Sequence, residues 1–148
     1  MDIEETIRLL QQAKGDPQSL ALVTLDLLLA SKPEALRRAV EAAAVPHWFD
    51  EAIFARLLDD DLRSAAGDWY REIVAMPFCE PFRQRGGHNV HEATRRGLRH
   101  RLAAQDPQRF RDLTRRAATT FAGNSVAERI ERAFRENSSP PAASLIPR

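Results

Sequence analysis

Two adjacent glycines between two amphipathic segments restrict the fold of this chain more than any other feature. The first amphipathic segment covers residues 62–76 and leads into the short run 77–82, after which Gly86 and Gly87 follow Arg85. Adjacent glycines accept the positive φ angles that tight hairpin loops require. We therefore predict a β-hairpin whose turn is formed by Arg85-Gly86-Gly87.

The residues after the turn indicate where the hairpin ends. Asn89 has the residue type of a helix N-cap, and Glu92 stands three residues later as its capping-box partner. The second strand should therefore end at about Val90, where a helix begins. A helix that leads into a short β-ribbon is the winged-helix pattern, so we expect the hairpin to be a wing.

The rest of the sequence predicts a mostly α fold. With 148 residues, 43% of them hydrophobic, the chain is long enough to bury a core in one domain. We predict a winged-helix-like bundle of about eight helices with a small β-hairpin wing over residues 1–136, and a flexible tail or linker over 137–148, where two prolines are adjacent. The predicted helices cover about 3–14, 17–30, 32–45, 49–58, 62–76, 90–102, 107–123 and 125–136.

Three details of these helices follow from residue type. The second helix is the most apolar and should lie in the core, with Leu27 buried, as should Trp69 in the fifth helix. Gly67 permits a break in the fifth helix because glycine costs about 1 kcal/mol against alanine there. Gly123 should end the seventh helix, and Ser125 should cap an eighth.

Charge divides the chain into two halves. Up to Met76 there are eight Lys and Arg against fourteen Asp and Glu, a net charge of −6, and after it fourteen Arg against seven Asp and Glu, a net charge of +7. The two halves either pack against each other or serve an acidic or nucleic-acid partner, and we favour packing.

Motifs of the common catalytic and cofactor sites are absent from the sequence. It has no P-loop, no Gly-x-Ser-x-Gly, no His-Glu-x-x-His and no Cys-x-x-Cys. Cys79, His88, His91 and His100 do not have the paired short spacing of a structural zinc site, and Cys79 in an apolar strand is an improbable nucleophile. We therefore expect no enzyme activity, no cofactor and no metal.

The sequence also favours a cytoplasmic protein. A single cysteine fits a reducing compartment, the acidic N-terminus is unlike a signal peptide, and the apolar run 20–30 is too short to cross a bilayer.

Binding of nucleic acid by the wing unit is the alternative function. In DNA-binding winged helices the helix before the wing enters the major groove and needs a cationic face. Here that helix begins with Asp59-Asp60-Asp61, which repels phosphate. The arginines of the helix after the wing are spread around it, so we expect nucleic acid to be an unlikely partner.

Five short stretches together resemble the winged-helix segment of STAND-type signalling NTPases and the start of the helical region that follows it. They are residues 44–50, 76–78, 88–92, 95–99 and 106–110. The resemblance covers about half of the chain, between residues 44 and 122. It implies a winged-helix fold and a place in a signalling or defence assembly.

The resemblance also assigns a role to one histidine. In that family a Met-His-Asp-like tripeptide ends the wing, and its histidine senses a nucleotide across the domain interface. Val90-His91-Glu92 stands at that place. Because the sequence carries no P-loop, His91 would meet a nucleotide only if another chain supplied it, and the other interpretation is a histidine at a helix start.

The function that we predict is a non-enzymatic regulatory or adaptor module acting through protein-protein contacts. Trp48 does not fit the apolar stripe of the fourth helix, so it either folds back over the alanines 42–44 or stands partly exposed. We predict that Trp48, His47 and the wing residues Arg83, Arg85 and His88 contribute to a contact with another protein or domain.

Overall fold

The structure, a computed structural model, describes the backbone of residues 2–138 and the side chains of residues 2–123. Over that part of the chain it contains seven α-helices and one two-stranded antiparallel sheet, so the mostly α fold with a hairpin is confirmed. The elements are α1 Ile3–Ala13, α2 Pro17–Leu29, α3 Glu34–Ala44, α4 Glu51–Leu57, α5 Ala66–Val74, β1 Cys79–Phe82, β2 Gly87–Val90, α6 Glu92–Gln105 and α7 Pro107–Ser138.

The helix count of about eight was wrong because α7 continues through the predicted break. Gly123 lies inside this helix, and the helix that we predicted from Ser125 is its continuation. By contrast, Gly15 after α1 has a φ of +92° and ends that helix in the left-handed region. Glycine therefore permits a helix to stop but does not force it to.

Aspartates begin several of the helices. Asp2 accepts a hydrogen bond from the Glu5 amide at 2.7 Å, and Asp50 accepts one from the Ile53 amide at 2.8 Å. At α5 the chain first forms a 3-10 turn, Asp60–Ala65, so the irregularity suspected at Gly67 ends two residues before it.

The hairpin occurs where the sequence placed it, with corrections at both ends. Cys79 pairs with Val90 and Phe82 with Gly87, so the loop is 83–86 and only Gly86 has a positive φ, +77°. Asn89 is not a helix N-cap, because it lies within β2 and its side chain donates to Glu80 at 3.1 Å.

Phe49 extends the hairpin on its other side. Its backbone amide and carbonyl exchange hydrogen bonds with those of His88, both 2.8 Å long. A Cβ atom added to Gly87 would lie 2.3 Å from the Phe49 carbonyl oxygen. Gly87 is therefore required for the close approach of the Phe49 backbone rather than for the turn.

The helix at the centre of the core is α3 rather than α2. α3 buries six residues, whereas α2 buries only Leu25 and Leu29 fully. The six are Leu36, Ala39, Val40, Ala42, Ala43 and Ala44. Alanines let other elements approach closely, while the leucines of α2 are spread around a helix that packs on one side. Leu27 and Trp69 are mostly but not fully buried, and Trp69 packs against the core.

The acidic and basic halves of the chain meet in ion pairs. Arg101 binds Asp26 through two contacts of 2.8 and 2.9 Å. Arg109 and Arg116 of α7 converge on Asp59, at 3.1 and 2.9 Å from its oxygens. Arginines of the basic half therefore neutralise aspartates of the acidic half where the two halves pack together.

Asp59 is largely enclosed among these arginines. Burial by itself would raise the pKa of the Asp59 carboxyl, but hydrogen bonds from Arg116 and Arg109 outweigh it and hold the pKa below its usual value. This carboxylate therefore joins α7 to the end of α4 in its ionised form.

The last predicted segment lies mostly beyond the part of the chain that is described. Of the expected tail 137–148, residues 139–148 are outside the described residues. Among the helices that are described, none combines the length and the apolar character needed to cross a membrane.

Candidate functional site

Trp48 lies at a corner where three parts of the fold meet. Its indole is parallel to the ring of Phe82 on the hairpin, with 6.2 Å between centroids, and edge-on to Phe121 of α7 at 5.7 Å. It remains half-buried, and it occupies this corner because its neighbour Phe49 is fixed to β2 with its own ring in the core. The ring contacts of Trp48 are therefore made with the aromatic side chains of Phe82 and Phe121.

Arg85 joins this corner from the tip of the hairpin. Its guanidinium carbon lies 5.8 Å from the centre of the Trp48 ring, within the range of a cation–π contact. Arg85 is exposed, so the guanidinium and the indole present a cationic and aromatic surface together. We call Trp48, Phe82, Arg85 and Phe121 the Trp48 surface.

An open groove of about 400 Å³ continues from the Trp48 surface toward α6 and α7. Its floor is mainly apolar, and two arginines, Arg95 and Arg99, stand along it. Residues that line the groove include Val45, Pro46, Trp48, Arg95, Arg99 and Ala117.

The two arginines of the groove complete the C-terminal end of α3. Arg99 donates from Nη1 to the Val45 carbonyl at 2.6 Å, and Arg95 donates from Nε to the Pro46 carbonyl at 3.1 Å. Carbonyl groups at a helix end lack partners within the helix, and cations there are favourable. Burial lowers the pKa of Arg95 below its usual value, although Glu92 opposes this effect.

The other predicted contact residues are divided between two faces of the hairpin. His47 is exposed next to Trp48, and Arg83 is exposed in the loop. His88, however, lies opposite Pro81, on the face away from Phe82, since neighbouring positions alternate along a strand. Its Nδ1 lies 2.9 Å from the Tyr70 hydroxyl, so the structure separates His88 from the Trp48 surface.

His91 stands at the residue that precedes α6. It occupies the N-cap position, but its side chain makes no capping hydrogen bond. The imidazole Nε2 instead lies 3.3 Å from Glu80, a contact that is ionic only when His91 is protonated. The side chain is exposed and thus accessible to another molecule.

The surroundings of Cys79 disfavour reactivity. Burial, and secondarily the charge of Glu80, raises the pKa of the thiol to about 12. A thiol with such a pKa is almost entirely protonated at neutral pH. Within the described residues, no three His, Cys, Asp or Glu side chains are grouped so that they could hold a metal ion.

The acidic start of the helix before the wing is retained in the structure. Asp60 and Asp61 are exposed on the 3-10 turn. The two arginines of this region are paired internally, Arg63 with Asp60 at 2.8 Å and Arg71 with Asp68. Little positive charge is therefore left there for a phosphate backbone.

Comparison of the chain with protein-family models, with curated proteins and with solved structures found no match.

Sequence reasoning identified Trp48 and Arg85 but missed their partners. Phe82 and Phe121 were assigned to the hairpin and to the stripe of α7, and no spacing in the sequence connects them with Trp48. The one usable signal was Phe121, which lies four residues beyond Ala117 and three beyond Ala118, where small side chains on one helix face leave space for a ring.

Proposed function

We propose that this chain is a non-enzymatic regulatory or adaptor module that acts through protein-protein contacts. The observation that carries the proposal is the Trp48 surface beside an open, mainly apolar groove. Tryptophan and arginine are the residues most enriched at binding hot spots, and half-burial leaves the indole available while its ring neighbours hold it in place.

The groove favours a partner segment with both apolar and acidic side chains. Ala117 and Phe121 supply apolar contact, and Arg99 lies at its edge. Arg99 donates to a backbone carbonyl and lies 5.5 Å from the Phe110 ring, and in the described part of the chain no carboxylate pairs with it. A partner carboxylate would therefore find an arginine whose charge is not neutralised.

We propose that α5, the hairpin and α6 form a winged helix, and that the module belongs to a signalling or defence assembly in the cytoplasm, as the resemblance to STAND-type proteins implies. In such an assembly a partner chain would supply any nucleotide that meets His91. The exposed position of His91 before α6 supports this assignment, because a partner can reach it.

Nucleic acid remains the alternative partner, and the acidic 3-10 turn argues against it. We expect binding to duplex DNA at physiological salt to be absent or weak. Fluorescence anisotropy with labelled duplexes at low and physiological salt is the measurement. A submicromolar, sequence-dependent signal at physiological salt would contradict the proposal.

The main experiment compares surface variants in the natural host. Tagged wild-type chain, Trp48→Ala and Arg85→Ala are purified with their bound proteins, and Arg71→Ala serves as the control because Arg71 is exposed and paired with Asp68. The protein lost in both Trp48 surface variants but kept in the control is then produced alone, and its affinity is measured by calorimetry.

We expect Trp48→Ala to weaken this reconstituted complex by about 2 kcal/mol or more, with little dependence on salt. Equal affinity of wild type and Trp48→Ala for every reconstituted candidate would remove the proposal. A steep loss of affinity between low and moderate salt would instead indicate a phosphate-driven contact.

A further inference from the structure

A second open cleft, remote in sequence from the hairpin, is lined by arginine and threonine side chains. Its volume is about 340 Å³, and it lies between the end of α4, the 3-10 turn and α7. The lining residues are Arg56, Arg63, Arg115, Arg116, Thr119 and Thr120. Four arginines from three elements therefore surround one space, and among the described residues that line it there is no carboxylate.

Two of these arginines are fixed by backbone contacts. Arg63 donates from Nε to the Leu58 carbonyl at 3.2 Å, and Arg116 donates to the Leu57 carbonyl at 3.1 Å. Each is also ion-paired, Arg63 with Asp60 at 2.8 Å and Arg116 with Asp59 at 2.9 Å, so these two arginines chiefly shape the wall of the cleft, which their side chains border. Arginine donors held in this way lose less conformational freedom when they bind an anion.

The other two arginines carry charge that the fold leaves largely unneutralised. Arg56 is exposed in the last turn of α4, and among the described residues it has no ion pair and no side-chain hydrogen bond. Arg115 is 74% exposed and lies 3.7 Å from Asp112, a weak contact at the surface.

The spacing along α7 places the two arginines and the two threonines of the cleft on the same side of the helix. Arg115 and Thr119 are four residues apart, as are Arg116 and Thr120, so the four residues lie on adjacent turns of one helix face. Thr119 is exposed, while the Thr120 hydroxyl donates to the Arg116 carbonyl at 2.7 Å. Within the described part of the chain no hydrogen bond of the Thr119 hydroxyl is formed, so it adds a further donor beside the arginines.

We propose that this four-arginine cleft binds a small phosphorylated molecule through its phosphate groups. The forked guanidinium matches phosphate oxygens in pairs of hydrogen bonds, and a cleft of this volume is in the range of small-molecule sites. The proposal does not depend on the function proposed above, since it uses no residue of the Trp48 surface.

The test is an NMR titration of the full chain with sodium pyrophosphate at constant ionic strength. The variant Arg56→Gln/Arg115→Gln removes the two exposed arginines of the cleft. The matched control Arg71→Gln/Arg83→Gln removes the same charge from two exposed positions elsewhere. Adenosine monophosphate, citrate and a short DNA duplex are titrated in parallel.

We expect saturable shifts centred on the Thr119 amide, with a Kd below about 1 mM for the wild type and the control. The cleft variant should bind at least about tenfold more weakly, because two charge-assisted contacts are lost. Tighter binding of adenosine monophosphate than of pyrophosphate would support a nucleotide as the source of the phosphate, and the reverse order a simpler phosphate compound.

Four results would overturn the proposal. They are no saturable shift in the wild type, equal affinity in the cleft variant, citrate binding as tightly as pyrophosphate, and DNA binding at the same amides more tightly than any small phosphate. Because the wild-type shifts locate the site without any substitution, the test holds even if the variant is unstable.

Discussion

The ring of Phe82 lies parallel to the indole of Trp48, with 8° between the two planes. This contact joins the hairpin to the corner before α4, and the edge of Phe121 joins α7 to the same indole. The indole therefore has a structural role as well as an exposed face, and the two can be separated by measurement.

Trp48→Ala should lower the free energy of unfolding by about 1–2 kcal/mol, because the indole is half-buried and loses two aromatic contacts. Phe54→Ala, which empties a site that is fully buried, should cost about 3–5 kcal/mol. Urea unfolding followed by circular dichroism measures both. If the two substitutions cost the same, Trp48 is a core residue and its part in a partner contact is doubtful.

Gly87→Ala should destabilise the protein by about 2–4 kcal/mol. The new methyl group would overlap the Phe49 carbonyl, so the two hydrogen bonds between Phe49 and His88 would have to break. Thermal unfolding is the measurement.

Gly123→Ala is the matched control for Gly87→Ala. Apart from the nearby backbone of its own helix, no atom of the described residues lies within 4 Å of the added Cβ, so stability should rise by about 1 kcal/mol. A stable Gly87→Ala protein would show that Phe49 does not approach β2 as described.

The contrast between these two glycines shows what the sequence could and could not predict. The positions of the strands followed from the glycine pair and from the apolar run before it, which are local signals. The function of Gly87 depends on Phe49, thirty-eight residues away, and no local pattern encodes that approach. In the same way Gly123 has the residue type of a helix end, but α7 continues through it.

Asp59→Asn should lower the free energy of unfolding by about 2 kcal/mol at pH 7, since Arg38, Arg109 and Arg116 lose an ionised partner. The pKa of Asp59 is lowered in the folded protein, so its contribution is present above the unfolded pKa of about 3.9 and is lost as the pH falls below that value. The difference in unfolding free energy between wild type and Asp59→Asn should therefore shrink below about pH 4.

Urea unfolding at pH 7, 5 and 3 measures this difference. Asp68→Asn is the control, because Asp68 is exposed and bound only to Arg71 on the surface. A difference between wild type and Asp59→Asn that stays constant down to pH 3 would rule out the ionised Asp59 as the stabilising group.

Cys79 should react slowly with iodoacetamide in the folded protein at pH 8. Its pKa of about 12 leaves roughly one thiolate in ten thousand molecules at that pH. Mass spectrometry should show alkylation at least about a hundredfold slower than in urea, where the pKa is near 8.5. Rapid modification of the native protein would reopen the question of a reactive cysteine.

The candidate site was predictable in part for the same reason as the fold. Trp48 stood out because it did not fit its helical stripe, and Arg85 because it lay in an exposed turn. His88 was grouped with them by its nearness in sequence, but strand alternation turns it toward Tyr70. The groove itself requires α3, α6 and α7 to meet, and contacts between segments far apart in sequence leave no periodic signal.

The bonds from Arg95 and Arg99 to the end of α3 also set the order in which this protein can fold during synthesis. The Val45 carbonyl precedes Arg99 by 54 residues. At a translation rate of about 5–20 residues per second, that interval takes roughly 3–10 s. Throughout that time the Val45 and Pro46 carbonyls lack these two donors, so a ribosome that stalls before α6 holds an acidic half whose central helix is without its arginine partners.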